Sequence, residues 1–214
     1  MKKMEKKQDY ITEQEKFWAG VFGDDYIDRN KGDKLLASNL NFFTKALARA
    51  TNFKTCIEFG ANIGMNLRAL KLLHPELKMN AIEINQQAAE QLSNVISDEN
   101  IFTGSIFDYT ASQGFDLSFI KGVLIHINPD KLNAVYRKLV SSTNRYLLVA
   151  EYYNPSPVAI PYRGHTGRLF KRDYAGEILD QYPEMKLIDY GFAYHRDVDF
   201  PQDDISWFLL EKSN

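Results

Sequence analysis

The stretch Thr55-Cys-Ile-Glu-Phe-Gly-Ala-Asn-Ile-Gly-Met-Asn66 constrains this chain most, because a short β-branched and apolar run ends in Glu58, Gly60, Asn62 and Gly64 and passes straight into a helical pattern. A strand that enters a helix through two glycines presents backbone N–H groups to a ligand at the helix start. Glycine permits the sharp turn, and a Cβ at either position is expected to occupy the ligand's space. The spacing selects among ligands. A pyrophosphate site takes G-x-G-x-x-G, whereas here three residues separate the glycines and an acid stands two before the first. That acid repels a pyrophosphate and suits a cationic, amino-acid-bearing nucleoside.

Three further segments follow in order. Lys78-Met-Asn-Ala-Ile-Glu83-Ile84 reads as a second strand ending in an acid, one strand-helix-strand unit after the first. A carboxylate there can accept hydrogen bonds from both hydroxyls of a ribose. Asn100-Ile-Phe-Thr-Gly-Ser105-Ile106-Phe-Asp108 is a shorter third strand with a turn. Residues 114–132, including Phe115-Asp-Leu and Gly122-Val-Leu-Ile-His126-Ile-Asn-Pro, read as a buried strand, a turn and a helix opened by Asn128-Pro129. Glu58-x-Gly60-x-x-x-Gly64 resembles the first motif of the class I S-adenosylmethionine (SAM) methyltransferases, and the later segments resemble their second, third and fourth motifs. The resemblance implies SAM as cofactor and S-adenosylhomocysteine as product. It implies a site of Glu58, Gly60, Asn62, Gly64, Glu83, Ile84, Ser105, Ile106 and Lys121. At the adenine edge the family often has Asp after the glycine; this chain has Ser105, which leaves Ser105 and Asp108 as alternatives.

A chain of 214 residues with 44% hydrophobic content can bury one sizeable core and does not demand a second domain. The expected fold is α/β: a doubly wound, Rossmann-like sheet of seven strands, mostly parallel with the last antiparallel. A helical cap over residues 1–50 would precede a SAM-binding domain over 51–214. Thr12-x-x-Glu15 reads as a capping box; helices are expected over 35–50, 128–140 and 171–182, and strands over 145–151, 186–194 and 205–211. The formal charge of −2 gives no global pull toward nucleic acid or anionic membrane, and no apolar run approaches the roughly 18 residues needed to span a bilayer. Met1-Lys-Lys-Met-Glu-Lys-Lys lacks an apolar h-region, so a cytoplasmic location is expected. The single cysteine, Cys56, excludes an intramolecular disulfide and argues against a cysteine-based metal cluster; no metal is expected.

Residues 152–173 read as a long connection without secondary structure, and such connections usually carry function. They gather Arg163, His165, Arg168, Lys171 and Arg172. A basic cluster of this kind suits an anionic small acceptor held by Tyr153, Tyr162, Arg163 and Arg168, the alternative being a solvated loop. Methyl transfer to oxygen or nitrogen needs positioning and removal of one proton. His126 could take that proton or stabilise the turn it occupies; His165 is a comparable candidate, and Tyr152 and Glu151 are weaker ones. The N-terminal segment Thr12 to Asn30 contains Phe17, Trp18, Tyr26 and Arg29. Together with Glu151-Tyr-Tyr-Asn-Pro-Ser-Pro and Tyr162-Arg-Gly-His-Thr-Gly-Arg-Leu-Phe-Lys-Arg-Asp173, it resembles the methyltransferase family associated with pseudaminic acid biosynthesis. That resemblance implies a nonulosonic sugar or nucleotide-sugar acceptor, with Tyr26 and Arg29 meeting the cofactor's carboxylate. Two other readings stand beside it. A nicotinamide-dependent oxidoreductase lacks its glycine fingerprint here, and a non-catalytic SAM-binding regulatory or partner subunit would differ only in turnover.

Overall fold

The computed structural model describes residues 10–27 and 31–213. Three helices, α1 (Glu13–Ala19), α2 (Val21–Ile27) and α3 (Asp33–Ala46), lead into β1 (Thr55–Phe59), α4 (Met65–Leu73), β2 (Lys78–Glu83), α5 (Gln86–Leu92) and β3 (Ile101–Thr103). After these come β4 (Phe115–Lys121), α6 (Leu132–Ser142), β5 (Thr143–Glu151), β6 (Val158–Tyr162), β7 (His165–Lys171), α7 (Tyr174–Gln181), β8 (Met185–Ala193) and β9 (Ile205–Lys212). Seven strands form one sheet in the order β3-β2-β1-β4-β5-β9-β8. β9 alone runs antiparallel to both of its neighbours. This is the mostly parallel, doubly wound sheet that the strand and helix pattern together with the methyltransferase resemblance implied.

Period-two alternation builds the core on both faces of the sheet. On β5, Tyr146, Leu148 and Ala150 join the layer of α3 and α4 with Phe42, Phe43, Leu67 and Leu70. Leu147 and Val149 join the opposite layer, with Val135, Leu139 and Ile178 of α6 and α7. Burying both faces explains why the central strands are continuous apolar runs.

Two expectations change. α7 starts at Tyr174 rather than 171, because Asp173 is its N-cap and its Oδ1 accepts from the Gly176 N–H at 2.8 Å. Residues 152–173 also contain secondary structure: β6 and β7 pair as a separate antiparallel hairpin. Tyr162 faces His165 across a two-residue loop of Arg163 (φ 49°) and Gly164 (φ 85°). Positive φ at both loop residues is the geometry that matches strand twist, usually supplied by Asn-Gly or Asp-Gly. Here an arginine takes the first place, so the customary signal was missing.

Candidate functional site

The strand order reverses between β1 and β4, and the crevice at their carboxyl ends is where an open α/β sheet binds its ligand. A cavity of about 540 Å³ lies there, within the roughly 300–1,000 Å³ usual for small-molecule sites. Gly60, Ala61 and Asn62 line it from the β1 turn. Gly60 and Gly64 both take φ of 80°, which L side chains rarely adopt. The reason expected for them needs correction. A Cβ at Gly60 would meet Val123 Cγ2 at 2.6 Å and one at Gly64 would meet Leu92 Cδ1 at 2.6 Å, so the glycines serve backbone conformation and close packing rather than ligand space. Glu58 and Gly64 do not line the cavity. Glu58 is fully buried behind it, and its Oε1 accepts from the Nδ2 of Asn66, a residue that does line it. Its Oε2 is buried without a hydrogen-bond partner, and burial pushes its carboxyl up to about 8.

Glu83 lies at the end of β2 against the same cavity. Oε2 accepts from the Asn62 N–H at 2.6 Å and Oε1 from the Asn85 N–H at 2.8 Å. Burial raises its pKa while these N–H groups oppose the rise. Ile84, Ser105, Ile106 and Phe107 continue the wall. The Ser105 hydroxyl donates to Glu15 Oε1 at 2.5 Å and accepts from the Phe107 N–H at 3.1 Å. Of the two residues expected as alternatives at the adenine edge, Ser105 lines the cavity, whereas Asp108 is exposed and off its wall.

Lys121 at the end of β4 and His126 in the following turn also line the cavity. Glu151, at the end of β5, holds that turn: its Oε1 accepts from the N–H groups of Val123 and Leu124, both at 2.9 Å. It lies off the cavity, and burial pushes it up to about 7. The His126 ring packs 4.5 Å from Trp18 and 5.0 Å from Tyr162. Its Nδ1 bonds the Arg168 carbonyl at 2.6 Å, and since a carbonyl only accepts, Nδ1 carries the proton and Nε2 the lone pair. Burial lowers His126 to about 4, so it is neutral at pH 7. Tyr26 of α2 reaches the cavity; Arg29 lies outside the described residues.

The expected basic cluster does not converge. Among the loop cations only Arg163, at the hairpin tip, lines the cavity. The Arg168 guanidinium sits 5.3 Å from the Phe17 ring centroid, Lys171 Nζ 5.2 Å from the Tyr152 ring, and Arg172 pairs with Glu177 at 2.6 Å. His165 is exposed and packs on Phe17 and Phe22. Tyr153 is exposed against Phe208, Tyr162 backs His126, and Tyr152 faces Asp203; like His165, none of these three lines the cavity. Pairing β7 with β6 turns successive side chains to opposite faces, which scatters charges adjacent in sequence. Conversely, sequence reading missed Asn39 of α3 and His195, Gln202 and Asp203 of the β8–β9 connection, all on the cavity wall. Gln202 Nε2 donates to Asn39 Oδ1 at 2.8 Å, a pairing across the whole fold with no local signal. Among the described residues no group of three or more His, Cys, Asp or Glu is placed to hold a metal, and no helix is long and apolar enough to cross a membrane.

No family model and no curated protein matches the sequence. Solved structures do match the fold. The mitomycin 7-O-methyltransferase MmcR aligns at TM-score 0.65 and 15% identity, over 94% of this chain and 61% of that one. The Burkholderia thailandensis 1,6-didemethyltoxoflavin-N1-methyltransferase, with its substrate and S-adenosylhomocysteine bound, aligns at 0.69 and 11%, over 90% and 86%. SAM-bound CalS10, an amino pentose methyltransferase from Micromonospora echinaspora, aligns at 0.62 and 9%, over 91% and 97%. This chain spans less than two thirds of the mitomycin enzyme. At these identities the likeness establishes a Rossmann-like methyltransferase fold.

Proposed function

We propose that this chain is a SAM-dependent methyltransferase acting on oxygen or nitrogen of a small anionic acceptor, a nonulosonic sugar or nucleotide-sugar. The observation that carries the reading is Glu83, its carboxylate oriented by two backbone N–H groups beside a cavity at the sheet's switch point. The residues fit the cofactor: Glu83 and the backbone of the β1 turn from Gly60 to Asn62 share one cavity wall with Ile84, Ser105 and Ile106, while Glu58 lies off that wall and meets it through Asn66. Bound SAM supplies an electrophilic sulfonium methyl group. Glu83 would hold the ribose, Ile84 and Ile106 the faces of the base, and Asn62, Lys121 and Tyr26 the amino-acid end. The described helices α1, α2 and α3 act as a cap, because each contributes to the cavity wall.

On the acceptor side, Arg163 binds the acceptor's carboxylate or phosphate and the neutral His126 Nε2 accepts the proton displaced by methylation. The sugar acceptor is supported by the likeness of the segments around Trp18 and residues 151–173, and by the carboxamides of Asn39 and Gln202, which suit hydroxyl groups. The test is methyl transfer from labelled SAM to a panel of free and nucleotide-activated nonulosonic sugars. Arg163→Ala should raise KM for the anionic acceptor with SAM affinity unchanged. Turnover of neutral acceptors only, or an unchanged KM in the variant, refutes the acceptor class. SAM binding without turnover of any acceptor would favour the non-catalytic reading.

A further inference from the structure

We infer that Glu15, a carboxylate on the cap helix α1, reads the 6-amino group of the cofactor's adenine and so makes the site select adenine over a 6-oxopurine. This deepens the SAM reading and rests on it. If Glu83 holds the ribose, the base lies beyond it along the wall of Ile84, Ser105, Ile106 and Phe107, at the ends of β2 and β3. An adenine edge offers two N–H donors at its 6-amino group, and its recognition requires an acceptor. Asp108 is exposed and off the wall. The Ser105 hydroxyl proton is committed to Glu15 Oε1, and its oxygen already accepts from Phe107.

Glu15 itself lines the cavity and is only 7% exposed. A carboxylate has about four lone-pair directions. Oε2 uses two, for the Thr12 N–H at 2.8 Å and the Thr12 hydroxyl at 3.0 Å. Oε1 uses one, for Ser105. One acceptor direction on Oε1 remains, on a charged group held rigidly at the end of the cavity where the base would lie. The capping box therefore does more than start a helix: it orients the acceptor by tying up the other oxygen.

Glu15→Gln separates recognition from folding. A capping box accepts Gln as well as Glu, so the amide oxygen can keep the Thr12 N–H while the amide NH2 replaces Oε1. The acceptor becomes a donor, which suits a 6-oxo group instead. The experiment is calorimetric titration of the full chain with S-adenosylhomocysteine and with S-inosylhomocysteine, its 6-oxo analogue. Wild type is expected to prefer the amino ligand by about 10- to 100-fold, the scale of one hydrogen bond to a charged group. Glu15→Gln should bring that ratio near one or invert it. Thr12→Ala, which removes the hydroxyl half of the capping box but keeps the carboxylate and the backbone N–H that holds its Oε2, should lose thermal stability and retain the preference. An unchanged ratio in folded Glu15→Gln, a wild type that does not discriminate, or an equal loss of preference in Thr12→Ala overturns the inference while leaving the SAM reading intact. A wild type that binds neither ligand overturns both.

Discussion

Replacing Glu83 by Gln tests whether the β2 carboxylate is the ribose anchor. In the folded chain its oxygens accept at 2.6 Å from Asn62 and 2.8 Å from Asn85. An amide can keep one of these bonds but turns an NH2 toward the other donor, stranding a buried backbone N–H at a cost of about 1–3 kcal/mol. For a chain of this size about 1 kcal/mol lowers Tm by roughly 2–4 °C, so a cooperative melt displaced by about 2–12 °C is expected. Ligand binding suffers separately. Two ribose hydroxyls donating to a carboxylate lose one acceptor outright and the charge on the other, about 2–3 kcal/mol together, or roughly a 30- to 150-fold rise in Kd. Calorimetry with S-adenosylhomocysteine well below the melting transition reads the second effect, and circular dichroism the first. A Kd within about threefold of wild type in a folded variant would falsify the ribose assignment.

Gly60→Ala should destabilise by about 2–4 kcal/mol, because it combines a left-handed φ with a Cβ 2.6 Å from Val123 Cγ2. Adding Val123→Ala should return part of that loss in urea midpoints, and strict additivity would refute the packing cause. Stability should fall as pH rises from about 6.5 to 8. Glu58 and Glu151, raised by burial to about 8 and about 7 from 4.5, bind more protons folded than unfolded there, and Glu58→Gln should flatten the fall. His126, lowered to about 4 from 6.5, works oppositely: its unfolded form binds the extra proton between pH 4 and 6.5, so its contribution grows as pH rises through that window and is complete above it. A His126→Gln variant with an unchanged pH–stability curve below 6.5 would count against its burial as the neutral form.

Features that depend on near neighbours are legible in the residues themselves. The Glu58 to Gly64 turn, the strand ending at Glu83, the Thr12 and Glu15 capping box and the alternation along β5 are set within about one turn of helix or two residues of strand. The membership of the site was only partly legible. Gly60, Asn62, Glu83, Ile84, Ser105, Ile106, Lys121 and His126 reach the cavity because they follow carboxyl ends of parallel strands, a position set by topology that strand order already implies.

The remainder required the tertiary structure. Arg163 reaches the cavity while Arg168, Lys171 and Arg172 do not, because a two-residue loop at positive φ folds their segment into a hairpin whose faces point apart. Glu15 meets Ser105 across 90 residues, and Gln202 meets Asn39 across 163. Composition, periodicity and capping record only what a residue needs from its near neighbours. Which distant groups share a cavity is decided when the cap helices and the β8–β9 connection close over the sheet, and the free energy of that closure comes from packing spread over the whole chain.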